Sequence, residues 1–572
     1  MNEEQLVVTS SPSKKIGFFS AILVVLGSSI GVGIFLRSKA VLENSAGNIA
    51  WAAIVWLIAG FAVVTMALAL VEVASGRNDN LGMIGWAKVF TTLYIYKGTK
   101  FFMTYLYLPF TYFFMPYYVI LQFQDGISGF GGNPSIGSTS SAPWIYFAIG
   151  LVLTLWMIFS AGISGRAGNV QNWIITSVKF IPLVAVVAIG IAFAILGNHA
   201  NEEKTALLPS TFWKNVTAKD LFDKNAGSFF GLSPFFATFS SLGAIFFAFD
   251  GFYVTAGIQS EMKEPKKTPL ALTIGLLSMT VLYIVIATAM TLGAGTGGFY
   301  GFQDLLTVKK AGWVFGVVNV LIAIGVLGIL NGFTMWATRF VEDLIKEGEI
   351  FVPVSAYRYL KNSKTPWVGA FFCLALSLPI MILFTAIGAF AYIDASGYGD
   401  GYGYKIGQLL SFSDLMSNWM AIFAFMFICA AIVGAILNRK SNRVAVEKTP
   451  HLYWAGISSV VIITLTMLFN VLDPFISMGI NSVKYITTKD GEVRNALISN
   501  VATSGLFLFF LVVTFLSTPI EKQIAIWNKK RFDRILSGNI CPHEREYYCP
   551  CVMQDYKERA ELNNLVLATY GL

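Results

Sequence analysis

The chain has 572 residues, 55% of them hydrophobic and 13% charged, with a mean hydropathy of +0.65. So apolar a composition excludes a soluble multidomain protein and requires long segments in lipid. The formal charge of +8 does not call for nucleic acid, because Lys and Arg gathered in the cytoplasmic loops of a membrane protein give the same excess.

The apolar runs are long and continuous, unlike the short alternating strands of a barrel, so the fold class is all-α integral membrane. Requiring about 20 apolar residues per crossing predicts twelve transmembrane helices, roughly at 17–36, 49–73, 100–123, 143–163, 170–196, 232–259, 269–293, 312–338, 367–392, 412–437, 452–472 and 496–517. The first follows Lys14-Lys15 as a signal peptide would, but it is longer than a signal core and runs into Arg37 and Lys39 without a small-residue cleavage site. It is read as a retained span. The segment before the third span, Val89 to Lys100, is expected to lie along the membrane surface.

Basic residues set the orientation. With the N-terminus cytoplasmic, that side collects Arg77, Lys88, Lys97, Lys100, Arg166, Lys263, Arg339, Lys346, Arg358, Arg439 and Lys440, among others. The outer side keeps fewer, among them Arg37, Lys39, Lys405 and Lys484. Both termini are therefore expected in the cytoplasm. The predicted organisation is a cytoplasmic segment 1–16, a transport core 17–437 in two halves (17–196 and 232–437), two further helices in 452–517 and a cytoplasmic tail 518–572. The long outer loop near 197–231 is expected to hold a short surface helix, and Ser396 to Tyr404 to form a mobile outer loop with interfacial tyrosines.

Past Ser517 a basic amphipathic stretch with Ile520, Ile524, Trp527, Lys529, Lys530 and Arg531 suits the inner membrane surface. Beyond it Cys541, His543, Cys549 and Cys551 bring four soft ligands within eleven residues. Zinc takes such ligands, yet the spacing matches no standard finger, and reduced cytosolic thiols are the plainer expectation. Cys373 and Cys429 fall inside apolar runs, so no outer loop offers a disulfide pair.

Two interruptions stand out. Gly27-Ser28-Ser29-Ile30-Gly31-Val32-Gly33 puts three glycines and two serines at the end of the first apolar run. Glycine weakens a helix, and freed peptide groups inside a membrane require protein or water to receive them. Phe247-Ala248-Phe249-Asp250-Gly251-Phe252 interrupts the sixth span with a carboxylate, which is costly in hydrocarbon. These are corresponding positions in two blocks of five spans, an odd number that inverts the second copy. Paired broken helices of this kind point to a transporter's binding site. Free N–H groups from Ser29 to Gly33 suit an anion, and free carbonyls from Phe247 to Asp250 suit an ammonium group, together describing an α-amino acid. Another zwitterion or a cation fits the same pair, and packing of Gly27 and Gly31 is the bland alternative.

Lys179 lies some nine residues into the fifth span, roughly 13 Å deep at 1.5 Å per residue. Its candidate role is proton coupling or a fixed cation in place of sodium, against a permanent clamp on the broken first helix. Glu72, and Arg339 with Glu342 or Asp343, read as inner-side ion pairs. Phe247, Phe249, Phe252, Tyr112 and Tyr117 are candidate lids over substrate, with Asn331 and Asp414 as further candidates for the cavity.

Ile30-Gly31-Val32-Gly33-Ile34-Phe35 resembles the first-helix signature of the amino acid-polyamine-organocation (APC) superfamily. Phe247 to Phe252 with Glu261-Met262-Lys263-Glu264-Pro265 is similar to its sixth helix and following loop, and Asn331 to Gly348 resembles its eighth-helix pattern. The resemblance implies a 5+5 inverted repeat with discontinuous helices 1 and 6. It also implies carboxylate binding by the backbone of Gly31, Val32 and Gly33, carbonyls of Phe247, Ala248 and Asp250 toward the amino group, and a fifth-helix lysine at Lys179. Val32 stands where many members carry serine and Asp250 where many carry a small residue, which bears on substrate identity.

The expected function is a secondary active transporter of amino acids in the plasma membrane, working by alternating access as a symporter or an antiporter. The candidate binding set is Ser28, Ser29, Gly31, Val32, Gly33, Phe247, Ala248, Phe249, Asp250 and Phe252, with Lys179 for proton coupling. No cofactor is implied; the expected partners are an amino acid, protons and the bilayer. A polyamine or organic-cation carrier of the same fold is the nearest rival. An enzyme is disfavoured because His199, His451 and His543, the only histidines, fall outside every span. A channel is disfavoured by the lack of repeated filter residues.

Overall fold

The structure is a computed structural model that describes residues 17–19, 22, 26, 33–77, 81–196, 229–253, 263, 267–295, 297–393, 398–537 and 550–571. Every extended element among these is helical, and nine helices are long and apolar enough to cross a membrane. In chain order they begin with α1 (Gly33–Asn44), α2 (Ile49–Ser75), α3 (Met83–Phe90), α4 (Leu93–Phe101), α5 (Leu108–Gly129), α6 (Ala142–Met157) and α7 (Gly165–Leu196). The second half supplies α8 (Pro234–Phe249), α9 (Thr268–Ala294), α10 (Phe302–Val308), α11 (Gly312–Lys346), α12 (Val354–Asn362) and α13 (Trp367–Ala386). Then follow α14 (Ile406–Ser441), α15 (Leu452–Thr488), α16 (Gly491–Leu511), α17 (Ser517–Leu536) and α18 (Pro550–Thr569).

Helices α1, α2, α8 and α9 pack on one another, as do α5, α7, α11 and α13, and α14 lies against α3, α5, α8 and α15. The α5–α11 crossing is set by small residues: a Cβ built on Gly129 would fall 2.3 Å from the Gly316 nitrogen, so the two backbones touch. With little hydrophobic drive between helices in lipid, this close approach supplies the packing.

Three regions differ from the sequence expectation. The segment before the third span does not lie along the surface: α4 runs through a π-helical turn (Phe102–Tyr107) directly into α5. Lys97 and Lys100 are buried because Glu349 and Glu521 meet them. The stretch after residue 472 is helix rather than loop, since α15 continues to Thr488 and turns into α16 at Lys489 and Asp490. Ser477, Asn481 and Lys484 recur at helical spacing and are buried there, a polar stripe that a hydropathy count discards. The basic stretch after Ser517 is no separate surface helix. It prolongs α16 as one rod from Gly491 to Leu536, and Ala525, Phe532 and Ile535 on it are covered by α18. Ile520 and Trp527 stay exposed.

Candidate functional site

Helix α8 starts on Ser233, whose hydroxyl accepts from the Phe236 amide, with Pro234 in the first turn where a missing N–H costs nothing. It stops at Phe249. Asp250 leaves the helical region (φ −59°, ψ 148°) and Gly251 takes φ +94°, a left-handed value that favours glycine. Helix α8 thus ends at the Asp250-Gly251 pair, the position that the sequence singles out.

Both carboxylate oxygens of Asp250 are engaged. Oδ1 accepts from the Gly251 amide at 3.0 Å, and Oδ2 accepts from the Tyr107 hydroxyl at 2.7 Å. Tyr107 closes the π-helical turn that precedes α5, a kind of widening common at functional sites. The carbonyls exposed by the break are partly used: Phe247 O accepts from the Asp250 amide at 3.2 Å, and Ala248 O from the Tyr283 hydroxyl at 3.0 Å. Each oxygen retains a second lone pair.

The first described residue after the expected break in helix 1 is Gly33, and it meets α8 at this point. A Cβ on Gly33 would lie 2.7 Å from the Ala248 Cα. The structure thus brings Gly33, Phe247, Ala248, Phe249 and Asp250 to one locus. Ser28, Ser29, Gly31 and Val32 lie outside the described residues.

One turn beyond Gly33, Arg37 is buried at 3% exposure. It pairs with Asp414 Oδ2 at 2.7 Å and donates to Ser417 Oγ at 2.8 Å and the Tyr118 hydroxyl oxygen at 3.0 Å. Its guanidinium carbon sits 5.0 Å from the Phe247 ring centroid, within cation–π range. Tyr118 also donates to Asp414 Oδ1 at 2.7 Å, and Tyr398 to Asp414 Oδ2 at 3.0 Å. This latch ties α1, α5, α8 and α14 together about one helical turn from the break. The sequence reading counted Arg37 as an outer-side charge and missed the pairing. The signal was its position four residues after Gly33, which puts both on one helix face.

Lys179, on α7, is 6% exposed, and its Cβ lies 3.6 Å from the position a Cβ would take on Gly325 of α11, so it faces the bundle and not lipid. The other candidates divide. Phe247 reaches the latch. Phe249 packs edge-on against Tyr283, and Phe252 against Phe425. Tyr112 bonds Thr334 at 3.1 Å and Tyr117 bonds Thr385 at 2.5 Å, which makes them braces between α5 and its neighbours. Asn331 donates to Gly168 O at 3.0 Å and bridges α11 to the start of α7. Glu72 is held by Arg439 in a two-pronged pair at 2.6 and 2.5 Å and by the Thr449 amide at 2.7 Å. Glu342 caps α13 through the Gly369 amide, while Arg339 donates to Met335 O. Cys541, His543 and Cys549 fall outside the described residues, as does the side chain of Cys551.

A family profile described as "Amino acid permease" matches residues 16–488. An uncharacterized protein of Mycoplasma pneumoniae is 41% identical over 545 residues, covering 91% of this chain and 95% of that one. The serine/threonine exchanger SteT of Bacillus subtilis is 23% identical over 386 residues, covering 65% and 77%. The b(0,+)-type amino acid transporter 1 of Mus musculus is 22% identical over 554 residues, covering 90% and 93%.

Proposed function

Because the chain belongs to the amino acid permease family, and is thereby a multi-pass membrane transporter and not an enzyme, we propose that it carries amino acids by alternating access, with protons or by exchange. The proposed frame is the twelve-helix, 5+5 inverted repeat, with helix 1 interrupted as helix 6 is and the two halves at 17–196 and 232–437. The membrane is the plasma membrane, with both termini in the cytoplasm. The observation that carries the reading is the contact of Gly33 with Ala248 beside the Asp250-Gly251 break. It sets the first described residue of α1 against the end of α8; in the proposed frame Gly33 closes the interruption of helix 1, and peptide groups of opposite sense there hold the two charges of a zwitterion. Similarity to a serine/threonine exchanger and to a b(0,+)-type amino acid transporter favours amino acids as the cargo.

In this reading Ser28, Ser29, Gly31, Val32 and Gly33 take the carboxylate through backbone and hydroxyl groups. Phe247, Ala248 and Asp250 offer carbonyls to the amino group, and Phe249 and Phe252 fix the helix end behind them. The side chain of Asp250 braces the turn through the bonds that its two oxygens accept from the Gly251 amide and the Tyr107 hydroxyl. The Arg37–Asp414 latch closes the outer route above the site, and transport requires it to part and re-form. Only differential affinity between the two states drives that cycle.

The test is uptake into proteoliposomes of a mixed amino acid panel, with and without an inward proton gradient. Saturable uptake and counterflow of one or more amino acids are expected, and no uptake of any member under either condition overturns the proposal. For Lys179→Ala the expected outcome is loss of gradient-driven accumulation with exchange retained. Wild-type accumulation in that variant rules out the coupling role.

A further inference from the structure

Residues Tyr398–Tyr404 are not the mobile loop with interfacial tyrosines expected from their Gly-Tyr alternation. They fold down over the ends of α5 and α14. The Tyr402 carbonyl accepts from the Ile136 amide at 3.1 Å and from Gln124 Nε2 at 3.0 Å, and the Tyr404 amide donates to Gly137 O at 2.9 Å. Both inward tyrosines end on carboxylates. Tyr398 reaches Asp414, the acidic half of the latch, and Tyr402 donates to Asp125 Oδ1 at 2.7 Å.

The two carboxylates differ in one respect. Asp414 has the Arg37 guanidinium. Asp125, only 7% exposed at the end of α5, pairs with no ammonium or guanidinium group among the described residues. The groups that face it are hydroxyls: Tyr402 from the loop, Tyr146 from α6 and Tyr300 from the segment before α10. Tyr146 spends its proton on Gln124 Oε1 at 2.6 Å. Hydroxyl dipoles do not offset the loss of hydration around a full negative charge. A carboxylate so placed either carries a proton or drives its cover open.

We propose that Tyr398–Tyr404 is a proton-latched lid on the Arg37–Asp414 pair, with Asp125 as its proton site. Asp125 takes one proton from the adjacent aqueous phase as the lid closes. In that state the neutral carboxyl group keeps the Tyr402 bond, and Tyr398 is held against Asp414. Loss of the proton leaves a buried anion that is stabilised by lifting the lid into water, and the Tyr398 support of the latch goes with it. The inference rests on the reading of that latch as a gate.

The test is the distance between nitroxide labels on Gly401→Cys and Ser140→Cys, two exposed positions, in the full chain with Cys541, Cys549 and Cys551 replaced by serine. The buried Cys373 and Cys429 stay native. From pH 8 to pH 5 the closed population is expected to grow, with the open-to-closed ratio changing by at most about tenfold per pH unit, the limit for one proton. Asp125→Asn is expected to stay closed throughout, and Tyr402→Phe to shift toward open at every pH. A wild-type distance indifferent to pH, or an Asp125→Asn profile that follows the wild type, overturns the proposal. The measurement needs no substrate, so its failure leaves the transport reading standing, and failure of uptake leaves the lid standing.

Discussion

At the scale of single residues the tightest constraint falls on Arg37. A buried guanidinium recovers its desolvation cost only through good partners, and here Asp414, Ser417 and Tyr118 supply them while Phe247 covers the flat face. Taking away one charge of such a pair strands the other, which costs about 3–5 kcal/mol, whereas replacing both by apolar residues of similar size is often neutral. Asp414→Asn is therefore expected to lower the thermal midpoint markedly, and Arg37→Met with Asp414→Leu to recover most of it. If the latch is a gate, the double variant nevertheless transports poorly, because a permanently apolar seal has no hydrated open state to return to. Thermal melts in detergent and uptake in proteoliposomes separate the two effects. A double variant as unstable as the single one shows that the pair is not the source of the cost.

At the scale of elements the approach of α1 to the end of α8 decides whether the proposed site can form. With 2.7 Å between a would-be Cβ on Gly33 and the Ala248 Cα, Gly33→Ala must push the helices apart. Overpacking of this kind costs about 1–3 kcal/mol, and the larger expected effect is on function: uptake falls at least about tenfold while the protein still folds, as a melt and a size-exclusion profile would record. Wild-type uptake in Gly33→Ala would mean that this approach does not position the site. The sequence made this contact legible because a glycine run in hydrocarbon has few uses, and the Asp250-Gly251 break was legible because a carboxylate amid phenylalanines demands a reason. What it hid followed one physical rule. Hydropathy counts apolar residues and is blind to charges that cancel, so Lys97 and Lys100 read as surface residues, the α15 extension beyond residue 472 read as loop, and Tyr398 and Tyr402 read as interfacial. For Lys97, Lys100, Tyr398 and Tyr402 a partner remote in sequence satisfies the polar group, and single-sequence periodicity carries no information about remote partners; on α15 Ser477 is met by Asp473 one turn away.

At the scale of the whole molecule, a second charge cluster ties the side opposite the latch to the end of the chain. Glu349, just past α11, accepts from Tyr96, Lys88, Lys97 and Lys100. Glu521 on α17 pairs with Lys97 and Lys100 and accepts from the Tyr570 hydroxyl at 2.6 Å. Helix α18 completes the tie, with Arg358–Asp555 at 2.7 Å, Lys361–Glu558 at 2.6 Å and Asn563 donating to Ala525 O at 2.9 Å. Burial alone would raise the Glu349 carboxyl, but Lys100, Lys97 and Lys88 outweigh it and hold the group well below the usual range. The folded protein therefore binds fewer protons at Glu349 than the unfolded chain does below the unfolded value of about 4.3. The stabilisation is complete above that pH and is lost as the pH falls toward the folded-state value. A melting series is expected to show the wild-type midpoint dropping below about pH 4.3, and Glu349→Gln starting lower at pH 7 but losing less over the acidic range. The two lysines are unequal. Both meet the carboxylates of Glu349 and Glu521, and Lys100 in addition donates to the Glu349 backbone carbonyl at 3.0 Å. Lys100→Met is therefore expected to destabilise more than Lys97→Met at neutral pH, because it also leaves a buried carbonyl short of a donor. Equal losses would mean that the cluster acts by its total charge and not by the placement of each group.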